Sequence, residues 1–147
     1  MIWKPNVTVA TVLEMDGKFL LVEESTSDGI RYNQPAGHLE EGESLFQAAI
    51  RETLEESAYT FEPDALVGIY QWRKQDTTYL RFAFTGRISG HDDNRKLDEG
   101  IIAAHWLHPD EVASRELRSP MVKRCVEDYL SGIRYPLDII THFGEGT

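Results

Sequence analysis

The spacing of apolar and polar positions divides the chain into short strands and a few helices. Val7-Thr8-Val9-Ala10-Thr11-Val12-Leu13 is dense in β-branched residues and predicts a strand. Asp16-Gly17 supplies a turn, and Lys18 to Glu23 reads as the return strand of a hairpin. Ser25 to Gly29 is polar and predicts a loop; Arg31 to Gln34 predicts a short extended piece halted by Pro35 and Gly37. Further strands are expected near Leu66–Arg73, Tyr79–Ile88 and Ile101–Leu107. Helices are expected over Ser44–Ser57, from Pro109-Asp110-Glu111 onward, and over about 119–131. The last has Ser119 as cap, Pro120 in the first turn and Gly132 as stop. Strands mixed with helices, without regular alternation, predict an α+β or three-layer domain.

The helix over Ser44–Ser57 carries an unusual pattern. At about 100° per residue, Phe46, Ile50 and Leu54 form one apolar stripe, the expected core face. On another side, Leu45, Ala48 and Ala49 align with Glu52, Glu55 and Glu56, so an apolar strip turns into three carboxylates within one turn. Glu40, Glu41 and Glu43 precede the helix, where its dipole favours acids. Glu52 and Glu56 are like charges four residues apart, a repulsion that grows when the pair is desolvated. Arg51 offsets part of it toward Glu55. Two readings fit this turn: a charged face without a ligand, or a site for a hard divalent cation. Oxygen donors with few histidines nearby match Mg²⁺, or Mn²⁺, rather than zinc. A cation that shares its shell with phosphates would imply a phosphorylated substrate.

Composition narrows the field. At 147 residues the chain suits one domain. Acids outnumber bases 25 to 15, and a formal charge of −10 disfavours phosphate backbones, so no nucleic-acid partner is expected. No run approaches the ~18 apolar residues of a membrane span. Met1 to Pro5 lacks an apolar leader, and one cysteine suits a reducing compartment; a cytoplasmic protein is expected.

Gly37-His38-Leu39-Glu40-Glu41-Gly42-Glu43, then Ser44 to Ile50, then Arg51-Glu52-Thr53-Leu54-Glu55-Glu56, resembles the Nudix box over 37–59. That pattern is G-x5-E-x7-R-E-U-x-E-E-x-G-U, with U bulky and apolar. Thr53 and Tyr59 depart from it at apolar positions, and Ala58 stands where the second glycine belongs. A β-carbon costs about 1 kcal/mol or more in a left-handed helix exit. Other segments resemble one bacterial phosphatase of the same family: Lys4-Pro5, Asn33 to Leu39, Leu80-Arg81-Phe82, Leu117 to Pro120, and Ser131 to Leu137.

The resemblance implies a Nudix α/β/α sandwich over residues 1–143, a mixed sheet with the box as loop–helix–loop on one side, and a tail at 144–147. It implies a hydrolase in which Glu52, Glu55, Glu56 and the Gly37 carbonyl hold Mg²⁺. Glu52 is the first choice for base or water-orienting group, with Glu55 beside it and Glu99, from the Asp98-Glu99 loop, as the alternative. Glu43 and Arg51 are expected to form a structural ion pair, and Gly37 to supply a backbone conformation that other residues resist. Arg81, His38 and Trp72 are candidates for substrate contact; the alternative is that Arg81 pairs with a surface acid and Trp72 belongs to the core. The partner would be a small di- or triphosphate, met by a monomer or weak dimer. Implied substrates are nucleoside tri- and diphosphates, with release of orthophosphate, together with thiamine pyrophosphate and hydroxymethylpyrimidine pyrophosphate. Two alternatives stand beside this: a nucleotide pyrophosphohydrolase that releases pyrophosphate, and a Nudix-like sensor without turnover.

Overall fold

A computed structural model describes residues 1–144; of the expected tail, 145–147 lie outside the described residues. Two sheets share the chain. The first runs β5 (Ala36–His38), β1 (Asn6–Thr11), β7 (Thr77–His91), β6 (Tyr59–Lys74), with β1 parallel to β7 and the other pairs antiparallel. The second joins β2 (Glu14–Met15), β3 (Lys18–Thr26) and β4 (Gly29–Asn33), and β8 (Ile101–Leu107) also pairs with β3. Helices α1 (Leu45–Ser57), α2 (Pro109–Ser114) and α3 (Pro120–Leu130) complete the mixed α+β architecture.

Successive side chains of a strand point to opposite faces, and β1 feeds two cores this way. Val9 joins a cluster with Phe84, Leu66 and the α1 residues Ala48 and Ala49. Ala10 joins another with Phe19, Val67, Ala83 and the α3 residues Val122, Cys125 and Val126. Helices thus cover both faces, α1 on one and α3 on the other.

The hairpin expected between residues 7–13 and 18–23 is corrected. The Asp16-Gly17 turn joins β3 to the two-residue β2, whereas both edges of β1 are taken by β5 and β7. The unbroken burial from Val9 to Leu13 is the physical reason, because a strand with one wet face would alternate. The expected loop at 25–29 contracts to Ser27-Asp28, with β3 and β4 running up to it.

The core face of α1 is wider than the expected stripe. Phe46 and Ile50 pack half-buried against the core and Leu54 is half-buried, while the fully buried residues are Ala48, Ala49, Thr53 and Ser57. Small side chains let the helix approach β1 closely, and Thr53 shares a 2.8 Å hydrogen bond with Thr11. No acid occupies the first turn; Ser44 and Gln47 form a reciprocal capping box instead. At the other end Ala58 adopts φ 66°, ψ 6°, and its N–H donates to the Leu54 carbonyl. The helix therefore exits left-handed without glycine. No helix among the described residues is long and apolar enough to cross a membrane.

Candidate active site

The last turns of α1 set the chemistry. Carboxylate oxygens of Glu52, Glu55 and Asp98 come within 4.8 Å of one another. Asp98 arrives from the loop before β8, where its N–H donates to the Glu55 carbonyl at 3.0 Å. The cluster thus takes Asp98 rather than Glu99 from that loop; Glu99 is exposed and outside it. Glu56 lies toward β5, with Oε1 accepting the Ala36 N–H at 2.9 Å. Of the expected trio, Glu52 and Glu55 converge with Asp98, and Glu56, bonded to the edge strand, stays close enough to feel the charges of Glu52 and Asp98.

Arg51 organises the acids. Its Nε and Nη2 grip Glu43 at 2.7 and 2.8 Å, and Nη2 also donates to the His38 carbonyl at 3.0 Å. Loop and helix are tied together by this bidentate pair. Nη1 faces Glu40 at 3.1 Å, Glu52 at 2.6 Å and Glu55 at 3.0 Å. A guanidinium nitrogen with two hydrogens cannot satisfy three carboxylates.

The electrostatics agree with that shortfall. The Arg51 hydrogen bond holds Glu43 below the usual carboxylate range. Burial pushes Glu52 upward in spite of Arg51. Burial, reinforced by the charges of Glu52, Glu24 and Asp98, pushes Glu56 up to about 8 against the Ala36 hydrogen bond. Glu52 and Glu56, which burial keeps from ionising, stand beside the converging oxygens of Glu52, Glu55 and Asp98, an arrangement that fits a hard divalent cation.

Gly37 has a role other than the one expected. Its φ lies outside the left-handed region; space is what matters, because a β-carbon there would overlap the Glu52 carboxylate. Glu52 and Glu56 form part of the wall of an open cavity of about 700 Å³. His38 contributes to the same wall, with an exposed side chain. Trp72 stacks on Tyr79 there, ring centroids 5.6 Å apart and planes 23° from parallel. A second cavity, of about 690 Å³, lies between β6 and α3, away from the carboxylates.

Arg81 is 3% exposed and pairs with no acid among the described residues. Nη1 donates to Gln34 Oε1 at 2.8 Å and lies 3.9 Å from Cys125 Sγ; Nη2 donates to Asn33 Oδ1 at 2.9 Å. Burial pushes the Cys125 thiol up, so the sulfur offers no opposing charge. Tyr70 donates its hydroxyl to Asp128 at 2.7 Å. Sequence reading names Asp98 only as the loop neighbour of Glu99 and gives Asn33, Gln34 and Tyr79 no role of their own. Only Tyr79 carried a usable signal, since strand alternation puts it on one face with Arg81.

This geometry has clear relatives. A model of the NUDIX domain matches residues 3–127. The chain belongs to the Nudix family. It is a Nudix hydrolase 40% identical to the phosphatase NudJ of Escherichia coli K12, over 96% of this chain and 94% of that one. A Nudix hydrolase from Nitrosomonas europaea superposes with a TM-score of 0.93 at 51% identity, covering 98% of this chain and 100% of that one. The Nudix domain of Shewanella oneidensis NrtR, complexed with ADP ribose, shares the fold alone. Its TM-score is 0.75 at 18% identity, over 89% of this chain and 90% of that domain.

Proposed function

We propose that this Nudix hydrolase is a Mg²⁺-dependent phosphohydrolase of nucleoside tri- and diphosphates that releases orthophosphate, with Mn²⁺ as a substitute. Thiamine pyrophosphate and hydroxymethylpyrimidine pyrophosphate are further proposed substrates, by similarity to NudJ. The observation that carries the metal is the convergence of Glu52, Glu55 and Asp98 within 4.8 Å, with only Arg51 Nη1 between several acids. Glu52, Glu55 and Asp98 would hold the cation, with Glu56 and the Gly37 carbonyl on the cavity side. When bound, it would neutralise phosphoryl charge and lower the pKa of the attacking water.

The chain's own residues would do the rest. Glu52, fixed between Arg51 and Gly37, would orient that water and accept its proton. Arg51 would keep the carboxylates aimed, which preserves their geometry between turnovers. Trp72 stacked on Tyr79 would offer a flat apolar surface to a base or pyrimidine ring. Arg81 would meet a phosphate.

The test is product analysis across nucleotides and thiamine phosphates, with and without Mg²⁺. Orthophosphate release that needs the metal is the expected result. Pyrophosphate as the product would favour the nucleotide pyrophosphohydrolase. No turnover across the panel would favour a sensor.

A further inference from the structure

Three cationic side chains line the carboxylate cavity, and two of them face acids: Arg118 meets Glu24 at 2.8 Å, and Lys74 meets Asp28 at 3.5 Å. The third, Arg81, is buried yet held only by neutral groups among the described residues, Gln34 Oε1 at 2.8 Å, Asn33 Oδ1 at 2.9 Å and the Cys125 sulfur at 3.9 Å. Gln34 is 1% exposed and is itself fixed, its Nε2 donating to the Val122 carbonyl of α3 at 2.9 Å. A carboxylate at position 33 or 34 would orient the guanidinium as firmly, and it would also cancel the charge. Amides orient without cancelling. The Arg81 Nε–H makes no protein hydrogen bond. A planar fork with a spare donor and an unneutralised charge suits an oxyanion.

Strand register gives the cluster its place. Arg81 of β7 pairs with Thr8 of β1, which pairs with His38 of β5, one residue from Gly37. By strand alternation Arg81 points to the α3 face, where it meets Cys125, and Glu52 meets Gly37 on the other face; the cavity wall takes in Arg81, Glu52 and Glu56 together.

We propose that Asn33 and Gln34 are positioning residues that hold Arg81 unneutralised for a phosphate oxyanion of the substrate. This deepens the phosphohydrolase reading and rests on it. Asn33→Asp is the informative change, because it keeps the acceptor and adds only a charge. With ADP as substrate, Asn33→Asp is expected to raise KM about tenfold or more, as expected for a lost charge-assisted contact, with kcat within about twofold. Its melting temperature should hold or rise, since a buried ion pair forms.

A purely structural role predicts the same melting behaviour with KM unmoved, and that result would overturn the proposal. In an Arg81→Gln background the Asn33→Asp change should add nothing further to KM; full additivity would also overturn it. A measurement on the unaltered protein covers any variant that fails to fold. The Arg81 Nε–H resonance, followed by NMR with α,β-methylene-ADP and with adenosine, should move with the diphosphate and not with the nucleoside. A resonance indifferent to both would sink the assignment. Absent ADP turnover in the unaltered protein would count against the phosphohydrolase reading instead, and the binding measurement would still judge Arg81.

Discussion

The Glu52 carboxylate occupies the space that a β-carbon on Gly37 would need. A strand glycine and a helix acid, fifteen positions apart in sequence, are therefore one unit: the bare Cα lets the carboxylate seat beside β5. Gly37→Ala should displace Glu52 and leave the fold intact, because what must move is the end of a side chain. Loss of such a support lowers metal affinity or activity by about 10–100-fold. Magnesium titration by calorimetry alongside turnover checks this; unaltered values for both would show that Glu52 works equally well from another position.

Glu56 makes metal-free stability depend on pH in a fixed direction. Burial raises its native pKa to about 8, while the unfolded chain returns it to the ordinary value of 4.5. Between those values the unfolded state holds fewer protons than the native state, so stability falls as pH rises. Below about 4.5 this contribution is complete, and above about 8 it is gone. Without metal, the melting temperature should therefore decline from pH 5 to pH 8, and Glu52, also raised by burial, adds to the same slope. Excess Mg²⁺ should flatten the profile by stabilising the ionised site. A metal-free profile that rises across this range would contradict the assignment.

Glu56→Gln separates stability from activity. The amide keeps an acceptor for the Ala36 N–H and removes the carboxylate that resists ionising. At pH 8 without metal, the variant should melt at or above the unaltered protein. Turnover should drop by orders of magnitude, because a neutral amide is a poor ligand for a hard cation. Activity near that of the unaltered protein would remove Glu56 from the site.

The carboxylate turn was legible in sequence because helix periodicity and the box spacing are local. Long-range choices were not. Val7 to Leu13 reads as a strand whichever neighbour it takes, so nothing local distinguishes a hairpin with β3 from insertion between β5 and β7. Asp98 and Glu99 are adjacent acids; only the hydrogen bond from Asp98 N–H to the Glu55 carbonyl selects the first. Gly37 looked like a turn residue because glycine usually signals backbone freedom, and the actual constraint comes from Glu52 across the sheet edge. Likewise, Asn33 and Gln34 are ordinary polar residues until Arg81 is brought onto them from 48 and 47 positions away.

Thr53 departs from the apolar preference of its box position and makes a bond in exchange. Its hydroxyl and that of Thr11 lie 2.8 Å apart in a fully buried setting, and Thr53 also bonds the Ala49 carbonyl at 2.7 Å. Thr53→Val leaves the buried Thr11 hydroxyl without this partner, which costs about 1–3 kcal/mol, and Thr11→Val costs less because Thr53 still donates to the Ala49 carbonyl. Replacing both restores an apolar contact of the same shape. Denaturant melts of Thr11→Val, Thr53→Val and the double variant should show two destabilised singles and a double better than their sum. Strict additivity would mean that the hydroxyls do not act on each other.

Ala58 sits at the helix exit in the left-handed conformation, φ 66°, where the family pattern has glycine. An L-residue with a β-carbon costs about 1–2 kcal/mol there, and glycine is nearly free of that strain. Two effects oppose the gain. Glycine adds unfolded-state freedom, and Ala58 is only 4% exposed, so its methyl group gives up some buried contact. Strain relief is the largest of the three, so Ala58→Gly should stabilise the fold by well under about 1 kcal/mol. For a domain of this size that corresponds to a melting temperature higher by about 1–3 °C. Activity should be unchanged, because the Ala58 N–H bond to the Leu54 carbonyl involves no side chain. A lower melting temperature would mean that the methyl group holds the exit of α1 more than the strain loosens it.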